Sequence, residues 1–320
     1  MTVILGINKD HSDSSACLLV DGNLIGAVAE ERLGKRIKHD SSFPINSINW
    51  VLKEGNKKIS DIDIIAVSNN TYSNLLQKII HSKDFSSFNL LKKIKSKIFN
   101  KSSIETEMED LCKKNNENKK NIKFKIYTVE HHLTHIASAY YLSGFKDITA
   151  ALSYDGSGDA VSVMLAKCED TEIEVLERVF LPISLGHFYS AVCNFIGFDK
   201  FGEEYKVMGL SAYGDDKYSA YFDSLIGYDE KKCIRQKNIF NYNSIDFNKN
   251  NIIKFNKNIF QNKKVEKFSK DSKDIAKSLQ TTFEKIVMQI INRLQKKVPS
   301  KNLVMAGGCA MSGLVNGKIF

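Results

Sequence analysis

The pattern of apolar runs predicts an α/β chain built from two copies of one strand–turn–strand–strand–helix unit. The first copy occupies residues 2–55 and the second residues 148–197. In each, a polar or Gly-rich turn joins the first two strands, where backbone N–H groups can face an anion. Polar hairpin turns also recur by chance, so the repeat alone leaves that role open. The 320-residue length suits two lobes, and an apolar fraction of 42% supplies a sizeable core.

Each element follows from local chemistry. Thr2 to Ile7 is a short apolar strand, followed by polar residues Asn8 to Ser15 and a second strand, Ala16 to Val20. Asp21-Gly22-Asn23 is a hairpin turn leading into Leu24 to Ala29. Pro44 suits the first position of a helix that carries Ile45, Ile48, Val51 and Leu52 on one face and stops at Gly55. Ile62 to Val67 and Ile122 to Tyr127 read as further strands. Between them lies a basic, polar insertion near residues 69–121, with helical stretches at Leu75 to Ile80 and Leu90 to Ile98.

The second copy opens after a small-residue helix, Ile136 to Leu142, that stops at Gly144. Ile148 to Tyr154 is a strand, Asp155 to Asp159 a turn, Val161 to Ala166 the returning strand, and Glu172 to Phe180 the third. Leu185 to Gly197 is helical. Residues 214–269 are polar and rich in Lys and Asn, and no element is placed in them. Ile275, Leu279, Phe283, Ile286, Ile290 and Leu294 mark a long helix that ends before Pro299. A buried strand, Leu303 to Ala306, then runs into Gly307-Gly308 and a helix start, a geometry that lets a ligand approach the backbone. The expected lobes are residues 1–128 and 129–320.

A net charge of +9 comes mainly from the two Lys/Asn-rich blocks. These lack the aromatic and Gly pattern of an RNA-binding sheet, which argues against nucleic acid. Six scattered cysteines form no C-x-x-C pair, so neither a zinc ribbon nor a disulfide scaffold is expected. The start, Met1 to Gly6, has no basic region before its apolar run, and no run reaches the length of a membrane span. The expectation is a reduced, cytoplasmic protein.

The densest chemistry lies between His131 and Asp159. On a helix, His131 and His135 share one face, and with the strand-end carboxylate of Asp155 they can hold a divalent metal. Histidines that cap or pack a helix start would show the same spacing. A zincin site needs H-E-x-x-H, and here His132 follows His131, so a metallopeptidase is discounted.

Several stretches together are similar to one family. They are Gly6-Ile7 with His11-Ser12-Asp13-Ser14-Ser15-Ala16, Asp21-Gly22, and Glu30-Glu31-Arg32 with Lys38-His39. They continue with His131-His132-Leu133-Thr134-His135-Ile136-Ala137-Ser138-Ala139, Asp155 to Asp159, and Ser184-Leu185-Gly186 with Phe188-Tyr189. Gly202 to Leu210 and Ala306-Gly307-Gly308 complete the set. The chain resembles the N-terminal part of the O-carbamoyltransferases of the nodulation and antibiotic-tailoring type. Where that family usually has Gly-Gly-Val-Ala-Leu-Asn, this chain has Gly307-Gly308-Cys309-Ala310-Met311-Ser312.

The resemblance implies a duplicated, actin-like two-lobed fold with a divalent metal, iron, and a nucleotide in the cleft between lobes. It assigns the metal to His131, His135 and Asp155, and the nucleotide to Gly156, Ser157, Gly158, Glu204, Lys206, Gly307 and Gly308. His11 becomes the base for an acceptor hydroxyl, and Lys38 the cation facing phosphate or developing charge. Unaided, His11 reads as a turn residue, Lys38 as a solvated lysine, and Glu204 with Lys206 as a helical surface pair. The implied reaction passes a carbamoyl group from carbamoyl-adenylate, made from ATP and carbamoyl phosphate, to a small-molecule hydroxyl. The family's adenylate-forming domain and a further metal-binding Asp would lie beyond Phe320, so a separate adenylate-forming (YrdC-like) polypeptide is an expected partner. A tRNA threonylcarbamoyl-transfer protein and a non-catalytic nucleotide-binding module are the alternatives; Glu30-Glu31-Arg32 with Lys38-His39 favours the small-molecule branch.

Overall fold

The computed structural model describes residues 1–9, 13–34, 38–70, 72–82, 103–118, 123–237 and 265–319. The chain divides into two compact units, Met1–Ser73 with Phe88–His131, and Asn74–Ser87 with His132–Phe320.

In the first unit, β1 (Val3–Asn8), β2 (Ser15–Val20) and β3 (Asn23–Ala29) form an antiparallel meander. Asp21 and Gly22 turn the β2–β3 hairpin with φ of 48° and 80°, the left-handed pair that matches strand twist. A single turn of helix, α1 (Glu30–Leu33), and then α2 (Ile45–Glu54) follow. Pro44 sits one position earlier than expected, as the N-cap. The carboxylate of buried Glu30 accepts from the backbone N–H groups of Asn46 (3.1 Å) and Ser47 (2.8 Å), so a distant side chain caps α2. β4 (Ile64–Val67) pairs parallel to β1. Helix α3 (Leu75–Ser82) belongs to the second unit, although its sequence neighbours belong to the first. α4 (Ser103–Lys114) and β5 (Lys125–Thr128), parallel to β4, complete the first unit and give the sheet order β3-β2-β1-β4-β5. The expected helix Leu90 to Ile98 lies outside the described residues.

The second unit repeats the scheme. After α5 (His131–Tyr140), β6 (Thr149–Gly158), β7 (Val161–Glu169) and β8 (Glu172–Phe180) form another antiparallel meander. Five elements come next: α6 (Leu185–Phe195), α7 (Glu204–Leu210), α8 (Ser219–Leu225), and the hairpin β9 (Ile226–Asp229) with β10 (Cys233–Gln236). α8 and this hairpin fall in the block where the sequence placed nothing. α9 (Lys270–Lys297) is capped by Ser269 and buries the expected face of Ile275, Leu279, Phe283, Ile286, Ile290 and Leu294. β11 (Asn302–Ala306) then pairs parallel to β6, and α10 (Gly313–Ile319) follows a 3-10 turn.

The order β11-β6-β7-β8 matches β4-β1-β2-β3 of the first unit. This is the duplicated α/β repeat of the actin-like fold. One expectation is corrected. Asp155 to Asp159 is no free turn, because β6 continues to Gly158 through a register shift after Tyr154. Asp159 and Ala160, at φ of 51° and 68°, make the turn instead. Short polar residues at a bulge read like a loop in sequence, since both interrupt the period of two.

Candidate functional site

Several of the candidate residues gather around the bulged end of β6. The division between units falls between His131 and His132, inside the first turn of α5, so one helix carries both expected histidine ligands. His132 faces inward and is fully buried. Its Nε2 lies 2.9 Å from the carbonyl O of Val161 and its Nδ1 2.8 Å from Ser153 Oγ. A carbonyl only accepts, so Nε2 carries a hydrogen and donates to Val161. Those two bonds fix the rotation of α5.

His131 and His135 are thereby turned toward Asp155. One ligand atom from each of the three lies within 4.8 Å of the others. His135 Nε2 is 3.3 Å from Asp155 Oδ2. Bonds of ~2.1 Å to a tetrahedral ion would separate ligand atoms by ~3.4 Å, so the spacing fits a divalent metal. Two imidazoles and one carboxylate with positions left open also suit Fe(II). The other Asp155 oxygen, Oδ1, accepts from the Gly156 N–H at 2.6 Å.

Two elements close on this bulge. Gly307, at φ of 99°, brings the backbone so near that a Cβ there would lie 2.4 Å from the Tyr154 carbonyl O. A Cβ on Gly308 would lie 2.9 Å from Asp155 Oδ1. Gly307 and Gly308 therefore serve first to let β11 exit against β6. On the other side stands the first turn of α6, which the sequence reading noted only as a motif. Ser184 Oγ donates to the Gly156 carbonyl O (2.6 Å) while accepting from the His187 N–H (3.0 Å). His187 Nε2 lies 3.3 Å from Ser157 Oγ, and burial pushes His187 down to about 4 against the pull of Asp155. A Ser three residues before a His at a helix start was the available signal.

The remaining expected residues are more dispersed. Gly156, Ser157 and Gly158 are half-buried along the bulge, and Gly158 rejoins the ladder opposite Val161. Glu204 opens α7 and accepts from Ser190 Oγ at 2.6 Å. Lys206 pairs with Glu203, not Glu204, at 2.7 Å. Lys38 is exposed in a turn of the first unit. His11 lies outside the described residues. Burial raises the thiols of Cys193 and Cys309 well above their ordinary range, which removes them as thiolate nucleophiles. Among the described residues, no helix is long and apolar enough to cross a membrane.

The chain belongs to the carbamoyltransferase N-terminus family, which it matches over residues 3–320. It is 30% identical over 319 residues to the nodulation protein NolNO of Sinorhizobium fredii, covering 98% of this chain and 42% of that protein. It is also 30% identical over 336 residues to the uncharacterized protein sll1178 of Synechocystis sp., covering 100% of this chain and 52% of that protein. Among solved structures, full-length HypF in its phosphate- and nucleotide-bound form aligns with a TM-score of 0.47 at 12% identity, over 99% of this chain and 50% of that one. The chain spans about half the length of the curated relatives it matches.

Proposed function

We propose that this chain carries the transfer step of a cytoplasmic O-carbamoyltransferase: a carbamoyl group passes from carbamoyl-adenylate to a hydroxyl of a small-molecule acceptor. The observation that carries the reading is the convergence of His131, His135 and Asp155 at the end of β6, in a chain matched along its length by a carbamoyltransferase family.

In this reading, His131, His135 and Asp155 hold one divalent metal, iron. When bound, the metal supplies a Lewis acid that offsets negative charge on substrate oxygens. In the same reading the adenylate lies against Gly156, Ser157, Gly158, Gly307 and Gly308, and Glu204 and Lys206 contribute polar contacts. The acceptor oxygen forms a bond to the carbamoyl carbon as the bond to the AMP phosphate oxygen breaks. His11 takes the proton released by the acceptor hydroxyl, and Lys38 faces the charge that develops on the carbonyl oxygen. Formation of carbamoyl-adenylate from ATP and carbamoyl phosphate falls to a separate adenylate-forming domain or polypeptide.

The test supplies preformed carbamoyl-adenylate and a sugar acceptor to the Fe(II)-loaded chain and follows AMP and carbamoylated sugar. Both should rise above the uncatalysed rate, and His135→Ala should lose at least ~100-fold, given the cost of losing a ligand that fixes such a site. Equal rates for parent and variant would overturn the reading.

A further inference from the structure

We infer that the first turn of α6 is a positioning element for the metal site, with Ser184 and His187 holding the β6 bulge so that Asp155 presents Oδ2 to the histidines. The inference rests on the proposed metal role of Asp155 and concerns residues to which that role assigns nothing.

Three successive residues of the bulge meet this one turn. At Asp155 and Gly156 the contact is steric. A Cβ on Gly186 would lie 2.8 Å from both Gly156 N and Cα, and 2.9 Å from the Asp155 carbonyl C. The helix therefore rests directly on the peptide that follows Asp155. At Gly156 the contact is also polar, through the 2.6 Å bond from Ser184 Oγ to its carbonyl O. At Ser157 it is the His187 imidazole, 3.3 Å from Oγ, whose ring also covers the space where a Gly156 side chain would stand.

This splint matters because the bulge lacks the usual restraint. Between Tyr154 and Gly158 the β6–β7 register breaks, so Asp155, Gly156 and Ser157 have no paired residue on β7. Their placement falls to other elements. The Gly156 N–H, at 2.6 Å from Asp155 Oδ1, restrains the rotation of the carboxylate. Ser184 holds the far side of that same residue. A shift of Gly156 turns the carboxylate and moves Oδ2 from its place 3.3 Å from His135.

Ser184 is itself anchored from two directions. It accepts from the His187 N–H as the N-cap of α6, and its own N–H donates to Gln236 Oε1 at 3.1 Å. Gln236 in turn donates to the Pro182 carbonyl O at 3.1 Å. The positioning turn is thus tied to the β9–β10 hairpin, in the block where the sequence placed no element. Groups that orient a ligand in this way typically change metal affinity by about 10–100-fold when removed.

The experiment titrates the metal-free full chain with Co(II), reading the dissociation constant and the visible ligand-field spectrum. Variants are Ser184→Ala, Ser184→Thr, His187→Gln and His135→Ala, with thermal melting of each metal-free protein alongside. Ser184→Ala and His187→Gln should weaken Co(II) binding about 10–100-fold and alter the spectrum, while Ser184→Thr, which keeps the hydroxyl, restores most of the affinity. If Ser184→Ala does not fold, His187→Gln decides. Parent-like affinity and spectrum in the folded Ser184 and His187 variants, with binding lost in His135→Ala, would overturn the positioning role and leave the metal reading intact. A parent chain that binds no Co(II) would overturn both.

Discussion

The two units end their first strand differently, and the contrast locates the chemistry. β1 and β6 occupy equivalent places: Ile7 pairs with Val67 of its parallel neighbour, and Ser153 with Ala306. Two residues further on, the first unit has Lys9 and the second has Asp155. Lys9 is 5% exposed. Around it, Asn8 and Ser68 bond to each other at 2.7 Å, and Asn8 donates to the Asp13 carbonyl O at 3.1 Å. Asp155 instead sits on a bulge with an oxygen turned to His135. The same backbone repeat thus carries a buried lysine at one strand exit and, at the other, a carboxylate set against two histidines. Duplication of a fold does not duplicate its site.

The largest effect should come from breaking that asymmetry. Asp155→Asn keeps the shape of the side chain but removes its charge, and metal affinity should fall by at least ~100-fold. Lys9→Met should leave both the affinity and the stoichiometry of one metal per chain unchanged. Metal analysis after dialysis against a weak chelator reads both variants. Two ions per chain, or loss of metal in Lys9→Met, would mean that the strand exit at Lys9 takes part in binding.

A second contrast concerns buried carboxylates. Glu30 is satisfied by the uncharged donors of Asn46 and Ser47, whereas Asp274 takes Lys217, Lys270 and the Asp215 N–H. Burial opposes ionisation of Asp274, but that backbone bond and the two ammonium groups outweigh it and pull the carboxyl down to about 2. The loop it anchors has no slack, since a Cβ on Gly214 would lie 2.0 Å from the Lys273 carbonyl O. Asp274→Asn removes the carboxylate shared by Lys217 and Lys270, both half exposed, and should cost about 2 kcal/mol at neutral pH. The sign of the pH dependence follows from the depressed value. The unfolded carboxyl, near ~3.9, binds its proton first, so the Asp274 contribution is whole above pH ~4 and falls away toward pH 2, by about 2 kcal/mol. Urea midpoints of parent and variant should converge as the pH drops below 4. A gap that stays constant from pH 7 to pH 3 would contradict the assignment.

What could be read in advance divides along physical lines. Period-two strands, the period-3.6 face of α9 and the Asp21-Gly22 hairpin are local signals, and the structure has all of them. Helix spacing puts His131 and His135 on one face, and the structure brings Asp155 to them. Two features depend on pairing across distance, which a linear pattern does not carry, and two more give local signals that are too short or ambiguous. Glu30 caps a helix that begins 15 residues later, and Ser184 braces Gly156 from 28 residues away. β9 and β10 are four residues each and give too short a run to show a period. The bulge at Asp155 mimics a turn because Gly, Ser and Asp serve both.

The smallest expected effect distinguishes the two meanders by their outer hairpins. In the first unit both turn residues are left-handed, Asp21 at 48° and Gly22 at 80°. In the second, Asp170 is left-handed at 51°, and Thr171, which follows it, is not among the residues with positive φ. A Cβ on Gly22 would meet nothing within 4 Å, so Gly22→Ala tests backbone strain without a steric clash. Alanine in that conformation should cost about 1 kcal/mol. Thr171→Gly should not stabilise the other hairpin, because that turn does not use the freedom glycine adds. It should cost up to about 1 kcal/mol through the wider unfolded ensemble. The sign of the comparison is the measurement: both variants lower the urea midpoint, one by strain in the folded state and one by entropy in the unfolded state. A rise in midpoint for Thr171→Gly would show that position 171 is strained, and the two hairpins would then be more alike than their dihedral angles indicate.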